Sequence, residues 1–377
     1  MEEKLKILHI APLVWHYYRY RDQELPMELA SRGHEVIYLN PVRYRNWETA
    51  SSRLQNRADH DIPEGVKVIE RYSTLPKSVF SFLHEIRDNV RQIRMHRPDA
   101  VICTDHLMGR MACNYCRKEK IPFIFDITDD WGEVDRGLLT SWYWKKRVRP
   151  ALARKAGAIV SASQRQAEYF RDRHPLVQVV PNGKPEAFIR QIESAALDPS
   201  APHVNFIASL RDWYDYDLMT EAFGAFPELE LRIYGSGPME GSIREKAAAY
   251  PNIHVMGNAP QSALPALLKS SLFGIISLRP IPLNDSTCPV KLFDYWAASK
   301  AVIACPGDEI RRIAGDSIIY ATQAEEMKAA IRLLLDRPAL RESLGKTGLE
   351  KINSLHNYRI IGNTFLELIR QLKNQYL

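Results

Sequence analysis

Lys291 and Asp294 are the residues whose types and spacing most directly suggest chemistry. They lie in a segment that reads as a turn, a short helix and a strand, and their spacing of three places them on one helical face. Pro289 suits the helix start, where free N–H groups near Val290 and the positive end of the helix dipole attract anions. The segment therefore suits a phosphate-bearing ligand whose ribose hydroxyls donate to the acid. The alternative is an ordinary surface ion pair.

Three further strand ends in the second half of the chain carry candidate ligand-binding groups. They hold Arg211, the turn containing Gly235 and Gly237, and the loop of Gly257, Asn258 and Ala259. An arginine at a strand end can clamp a diphosphate, and glycines allow close approach of the backbone to a ligand. The third loop suits a nucleobase held by main-chain groups.

An acidic strand end stands out in the first half. Asp129 and Asp130 follow the apolar strand 122–127, and Trp131 comes next. Like charges this close repel and raise a carboxyl pKa, which favours a general base. We therefore predict that Asp129 or Asp130 is catalytic and that Trp131 lies on the acceptor side. Helix capping is the alternative.

The loop after the first strand carries aromatic and basic residues, including Trp15, His16 and Arg19. It lacks the glycines of a dinucleotide-binding loop, which argues against a dehydrogenase. These side chains either contact a sugar acceptor or pack the loop onto the domain.

A second aromatic and basic segment lies at 141–155, and it indicates either a membrane interface or an ordinary helix with core aromatics. The chain shows no signal peptide and no apolar run of membrane-spanning length. We expect a cytoplasmic protein, with peripheral contact to the cytoplasmic face of the membrane left open.

Charge and cysteine content narrow the function further. Residues 1–185 hold 31 of the 51 Lys and Arg but 23 of the 45 Asp and Glu, so an anionic partner is expected there. No nucleic-acid-reading motif accompanies this charge. The five cysteines are sparse, and the pair Cys113 and Cys116 has no zinc-spaced partner, so we predict neither a metal site nor a cofactor.

Strand and helix patterns alternate along the whole chain, which predicts an α/β fold with parallel sheets. Turn residues and a polar stretch at 184–202 divide it. We predict an N-terminal Rossmann-like domain at 1–184, a C-terminal one at 185–356, and a last helix at 357–377 that crosses back to the first domain. The two domains are expected to face each other across a cleft, with ligands beyond the strand ends.

Four motifs in this order resemble those of GT-B fold glycosyltransferases, in the large group of bacterial polysaccharide and lipid-linked sugar transferases. The motifs span residues 29–36, 180–183, 234–238 and 289–304. The loop at 128–131 resembles that of teichuronic-acid and exopolysaccharide transferases, some of which are inverting.

The resemblance implies that Asp294 binds ribose, that Arg211 and Lys291 contact the donor diphosphate, and that the 257–259 loop holds the base. Many retaining members have two glutamates in this region; Asp294 matches the second, whereas Ser286 stands at the first. Inversion and retention both remain open.

These observations predict an enzyme that moves a sugar from a nucleoside diphosphate sugar, with UDP favoured, to a hydroxyl of a lipid-linked or polysaccharide acceptor. No metal is expected. A nucleotide-sugar 2-epimerase would use the same architecture without an acceptor. A non-catalytic nucleotide-binding scaffold is the remaining alternative.

Overall fold

A computed structural model describes residues 3–16, 19–44, 61–74, 79–104, 109–128 and 142–376 of the chain. The chain forms two compact units. Unit 1 comprises Met1–Pro181 with Tyr358–Leu377, and unit 2 comprises Asn182–Asn357. The last helix therefore belongs to unit 1.

Unit 1 is built on a parallel sheet, which among the described residues has seven strands in the order β4-β2-β1-β6-β7-β8-β9. The strands are β1 Lys6–Ile10, β2 Glu35–Leu39, β4 Val66–Ile69, β6 Ala100–Thr104, β7 Phe123–Ile127, β8 Ala158–Ser161 and β9 Val177–Val179. A separate short ladder pairs β3 Arg43–Tyr44 with β5 Tyr72–Ser73. The central strands are almost wholly apolar because helices cover both faces of the sheet.

Helices pack on the two faces of this sheet around separate apolar cores. They are α1 Arg21–Ser31, α2 Val79–His96, α3 Gly109–Lys118, a π-helical turn at Trp144–Val148, α4 Arg149–Lys155, α5 Gln164–Arg171 and, at the chain end, α15 Tyr358–Tyr376. Leu29 of α1 and Phe365 of α15 share one core, whereas Ile93, Cys113 and Leu152 place α2, α3 and α4 around the other.

Unit 2 contains two parallel three-stranded ladders. One joins β10 His203–Ile207, β11 Glu230–Tyr234 and β12 Ile253–Gly257, and the other joins β13 Gly274–Ile276, β14 Val302–Ala304 and β15 Ile319–Tyr320. Leu272 N donates to His203 O at 2.9 Å, which places the start of β13 beside β10. When the strands of each sheet are renumbered in chain order, both units follow the 3-2-1-4-5-6 order of doubly wound sheets. The sheet of unit 1 has a seventh strand, β9, beyond these six.

The helices of unit 2 enclose a single apolar core around these ladders. They are α6 Glu186–Ser194, α7 Tyr216–Gly224, α8 Glu240–Ala247, α9 Leu264–Ser270, α10 Pro282–Ser286, α11 Val290–Ala297, α12 Asp308–Ala314, α13 Ala324–Asp336 and α14 Pro338–Leu355.

The α/β fold with parallel sheets, predicted from the alternating pattern, is confirmed, and β7 begins within one residue of the predicted strand 122–127. Three short helices were missed. The polar stretch at 184–202 contains α6, where only Ile189 and Ile192 are buried, and α10 and α12 span five and seven residues. Helices this short show too few turns for a periodic apolar pattern.

A buried ion pair fixes the interior of unit 1. Arg21 on α1 donates from Nε and Nη2 to both carboxylate oxygens of Asp126 on β7, at 2.8 and 2.9 Å, and from Nη1 to Val180 O at 2.8 Å. Its guanidinium also lies 5.5 Å from the ring centre of Phe365 on α15. The Arg21 side chain therefore joins the first helix, the sheet, the last helix and the C-terminal end of the first segment of unit 1.

We predict that Asp126→Asn lowers the free energy of unfolding by about 3–5 kcal/mol, because it leaves a buried guanidinium without its counter-charge. The double change Arg21→Met, Asp126→Leu should recover much of this loss. Urea unfolding monitored by circular dichroism measures both effects. The exposed pair of Arg190 and Glu186 is the control, since Arg190→Met should cost about 0–1 kcal/mol. Equal costs for the two single changes would contradict the assignment.

Candidate functional site

The candidate site of unit 2 lies where β10 and β13 meet, at the point where the strand order reverses. In doubly wound sheets, ligands bind beyond the C-terminal strand ends at this point. Arg211 follows β10, and Arg279 follows β13 in the same way. Arg279 is not among the residues predicted from the sequence, although the strand-end rule that selected Arg211 applies to it equally.

Backbone hydrogen bonds join the loops that follow these two strands. Asp215 N donates to Ser277 O at 2.8 Å, and Arg279 N donates to Trp213 O at 2.9 Å. The Asp215 side chain also caps α7 by accepting a hydrogen bond from Leu218 N at 3.0 Å. The backbone that carries Arg211 and Arg279 is therefore held on both sides.

Helix α11 brings Lys291 and Asp294 to this region. It begins after Pro289, whose extended backbone has φ −74° and ψ 116°, and one face of the helix is buried in unit 2. Tyr295 anchors that face by donating from its hydroxyl to Asn205 O on β10 at 2.9 Å. Lys291 and Asp294 remain partly exposed because they lie off the buried face.

The cations of the site are held by aromatic rings. Lys291 Nζ lies 5.3 Å from the ring centre of Tyr214 and 5.7 Å from that of Phe206, and Arg211 Cζ lies 5.7 Å from that of Trp213. Within the part of the chain that the structure describes, neither Lys291 nor Arg211 has a carboxylate at ion-pair distance. Such cations can receive an anionic ligand without first breaking an internal pair.

Asp294 has a partner that the sequence did not indicate. Its carboxylate forms an ion pair with Lys184, and the two side chains are 16% and 11% exposed. In the sequence, Lys184 lies in a turn between the two predicted domains, and the spacing of Lys291 and Asp294 suggests Lys291 as the ion-pair partner. A lysine in a turn shows no periodicity that would reveal contact with a helix so far along the chain.

Gly235 and Gly237 are required by the approach of two backbone segments. Gly235 has φ +135°, and a Cβ there would lie 1.8 Å from Ala208 O; a Cβ on Gly237 would lie 2.3 Å from Leu210 O. Leu210 N donates to Ser236 O at 2.9 Å across the same contact. The close approach that the Gly-x-Gly pattern predicted is therefore made, in this structure, to the loop that precedes Arg211.

The loop predicted to hold a base begins at the end of β12. Gly257 has φ +77°, which favours glycine, and its carbonyl accepts from Gly235 N at 2.8 Å. Asn258 is exposed and Ala259 is partly exposed. The main chain of Asn258 and Ala259 thus borders the same group of strand ends.

Ser286, which stands where many retaining members of the resembled family have a glutamate, is buried in α10. Its hydroxyl donates to Leu283 O at 3.0 Å, within its own helix. A neutral hydroxyl bonded to its own backbone cannot replace the charge of a glutamate.

The strand-end residues of unit 1 fall into three groups. Trp15 is 1% exposed and packs edge-on against Tyr38, with 5.0 Å between ring centres, so the packing alternative describes it. His16 and Arg19 are partly exposed beside it. The predicted catalytic residues Asp129 and Asp130, and Trp131 with them, lie outside the described residues.

Cys113 and Cys116 are buried thiols on α3. Burial raises the pKa of Cys113 to about 12 and raises that of Cys116 further still. Both residues belong to the apolar core shared by α2, α3 and α4. They act there as small apolar side chains, because thiols with such pKa values carry almost no thiolate near neutral pH.

Two family models match the chain. Residues 23–185 match a model described as Glycosyltransferase Family 4, and residues 211–367 match one described as Glycosyl transferase-like. A sequence comparison with curated proteins finds no significant match.

Solved structures match almost the whole chain. Sucrose-phosphate synthase from Thermosynechococcus elongatus aligns with a TM-score of 0.72 at 15% identity, over 98% of this chain and 99% of that one. A glycosyltransferase from Rickettsia africae aligns with 0.71 at 13% identity, also over 98% and 99%. The Anabaena protein HepE in complex with UDP and glucose aligns with 0.70 at 14% identity, over 97% and 100%. The predicted GT-B fold is confirmed.

We predict that Gly235→Ala destabilises the protein by more than about 2 kcal/mol, because it combines a left-handed backbone with a clash against Ala208 O. Gly241→Ala is the matched control. A Cβ at Gly241 meets no atom within 4 Å on α8, so alanine should be neutral or stabilise by about 0.5–1 kcal/mol. Thermal unfolding of both variants measures the difference, and equal melting temperatures would contradict the contact.

Proposed function

We propose that this GT-B chain, whose halves match two glycosyltransferase models, transfers a sugar from a nucleoside diphosphate sugar to an acceptor hydroxyl. UDP-sugars are the favoured donors, and the acceptor is a lipid-linked or polysaccharide intermediate of bacterial surface glycan synthesis. The observation that carries the proposal is the set of aromatic-held cations at the strand ends of unit 2, with Asp294 beside them.

The donor would be held by these groups in order along its length. The diphosphate would contact Lys291, Arg211 and the backbone N–H groups near Val290, which follows Pro289. The carboxylate of Asp294 would accept hydrogen bonds from the ribose hydroxyls. Gly257, Asn258 and Ala259 would border the base. HepE supports the choice of UDP, since that protein has been crystallised with UDP-glucose at 11% identity to this chain.

In the transfer step, the acceptor oxygen forms a bond to the anomeric carbon of the sugar, and the bond from that carbon to the diphosphate oxygen breaks. Lys291 and Arg211 would stabilise the negative charge that develops on the departing diphosphate. Because these fixed cations can supply the positive charge, we propose that no metal ion is required.

The proton of the acceptor hydroxyl needs a base. If the anomeric centre inverts, Asp129 or Asp130 would accept that proton. If it is retained, an oxygen of the departing diphosphate would accept the proton, and the same acids would position the sugar. His16, Arg19 and Trp131 would then lie on the acceptor side.

We also propose peripheral contact of unit 1 with an anionic membrane surface. In the segment at 141–155, Trp142 is 52% exposed, and Lys145, Lys146 and Arg147 are exposed next to it. Aromatic rings at headgroup depth beside cations are typical of membrane interfaces. No helix among the described residues is long and apolar enough to span a bilayer.

Helix α2 extends this basic surface, because it packs on the same face of the sheet. Its solvent side carries Arg87, Arg91 and Arg94. Its two acids face elsewhere: Asp88 lies 3.2 Å and Glu85 lies 3.8 Å from the guanidinium of the buried Arg71. Among its described side chains, the exposed side of α2 therefore carries three arginines and no exposed acid, together with the exposed apolar side chains of Leu83 and Met95.

We predict that UDP raises the melting temperature of the wild type more than GDP, ADP, dTDP or CMP, with EDTA present throughout. A ligand that binds only the folded state stabilises it in proportion to ln(1 + [L]/Kd). Arg211→Ala and Lys291→Ala should each weaken UDP binding by about 10- to 100-fold, because each removes a charge-assisted hydrogen bond. Arg190→Ala, on the exposed face of α6, should leave the shift unchanged.

Activity separates binding from chemistry in this experiment. Asp129→Asn or Asp130→Asn should keep the UDP shift and lose sugar transfer. Full transfer by both variants would overturn the base assignment, and the absence of a shift with every nucleotide would overturn the donor site.

We predict that the wild type sediments with phosphatidylglycerol vesicles and not with phosphatidylcholine vesicles, and that salt releases it. Arg87→Glu with Arg91→Glu should weaken binding at least tenfold, since each basic residue near an anionic surface contributes about 1 kcal/mol. Arg190→Glu with Arg332→Glu, two exposed cations of unit 2, is the matched control. Equal losses in both double variants would contradict a defined surface.

A further inference from the structure

We infer that Lys184 is a positioning residue for the donor site: it holds the carboxylate of Asp294 in the orientation that accepts hydrogen bonds from ribose hydroxyls. The inference rests on the proposed function, because it assumes that Asp294 contacts the donor. The observation that supports it directly is the ion pair between Lys184 and Asp294, which both belong to unit 2.

The backbone of Lys184 is fixed on both sides. Lys184 N donates to His356 O at 2.9 Å, and Lys184 forms a parallel bridge with Asn357. Two residues earlier, Asn182 Nδ2 donates to Cys288 O at 2.9 Å. Since Cys288 lies two residues before α11, the segment carrying Lys184 is tied to the start of the helix that carries Asp294.

The side chain of Lys184 is confined as well. It is 11% exposed, and its ammonium lies 4.9 Å from the ring centre of Phe188 on α6. Solvent and salt screen such a pair less than an exposed one. The surrounding residues therefore hold the Lys184 ammonium close to the Asp294 carboxylate.

Helix α11 is anchored at two positions. Phe293 packs against His356, with 5.1 Å between ring centres, and Tyr295 is bonded to β10. The orientation of the Asp294 carboxylate therefore depends on its side-chain rotamer. A carboxylate has about four acceptor positions, so one ammonium leaves room for the two ribose hydroxyls while it fixes the plane of the group.

The test is a thermodynamic cycle that removes the Lys184 ammonium from the protein and the two ribose hydroxyls from the ligand, singly and together. Calorimetry measures the binding of UDP and of 2′,3′-dideoxy-UDP to the wild type, Lys184→Met, Lys184→Arg and the control Lys328→Met. The control removes a lysine of α13 that pairs with Glu325. The wild type should prefer UDP about tenfold or more, as expected for hydroxyls bonded to a charged group.

In Lys184→Met, the preference for UDP should fall below about threefold, while the affinity for dideoxy-UDP stays within about twofold of the wild type. Lys184→Arg should restore part of the preference, and Lys328→Met should retain all of it. A purely structural lysine would weaken both ligands equally. If Lys184→Met fails to fold by circular dichroism, Lys184→Gln takes its place in the cycle.

The outcomes separate the two levels of the proposal. A wild type that does not bind UDP overturns the proposed function. A wild type that binds both ligands equally, or a Lys184 variant that keeps the full preference, overturns the positioning role and leaves the diphosphate site intact.

Discussion

The backbone hydrogen bonds between the loops after β10, β11 and β12 are the constraint on which the candidate site depends. Leu210 is bonded to Ser236, and Gly235 is bonded to Gly257, so three strand ends form one connected edge. Only glycine permits the contacts at 235 and 237. Because Arg211 directly follows Leu210, the position of its backbone is set by these main-chain hydrogen bonds.

The two units differ in how their charged side chains are paired. In unit 1, Arg21 and Asp126 bury opposite charges and thereby join helices and sheet. In unit 2, Lys291 and Arg211 lie against aromatic rings, and of these two cations and Asp294 only Asp294 has an ion-pair partner among the described residues. Charges that are buried and paired with each other are already satisfied, whereas cations held by rings beside a strand end are available to an anion. This contrast supports the proposal that the donor binds to unit 2.

The sequence predicted the fold because both halves repeat buried strands with long amphipathic helices. It also selected Arg211, Lys291 and Asp294, since each follows from a rule about strand ends or helix starts. It did not find Lys184, whose contact with Asp294 depends on tertiary packing alone. Asp126, which lies in β7 shortly before Asp129 and Asp130, is neutralised by Arg21 on α1. Local sequence does not reveal such distant partners.

The central claim is that the strand ends of unit 2 bind a nucleoside diphosphate, and a crystal structure of the protein with UDP tests it most directly. The account predicts density for the diphosphate beside Lys291 and Arg211, and for the ribose within hydrogen-bond distance of the Asp294 carboxylate. UDP bound elsewhere, or bound here with its ribose turned away from Asp294 and its phosphates away from Lys291, would contradict it.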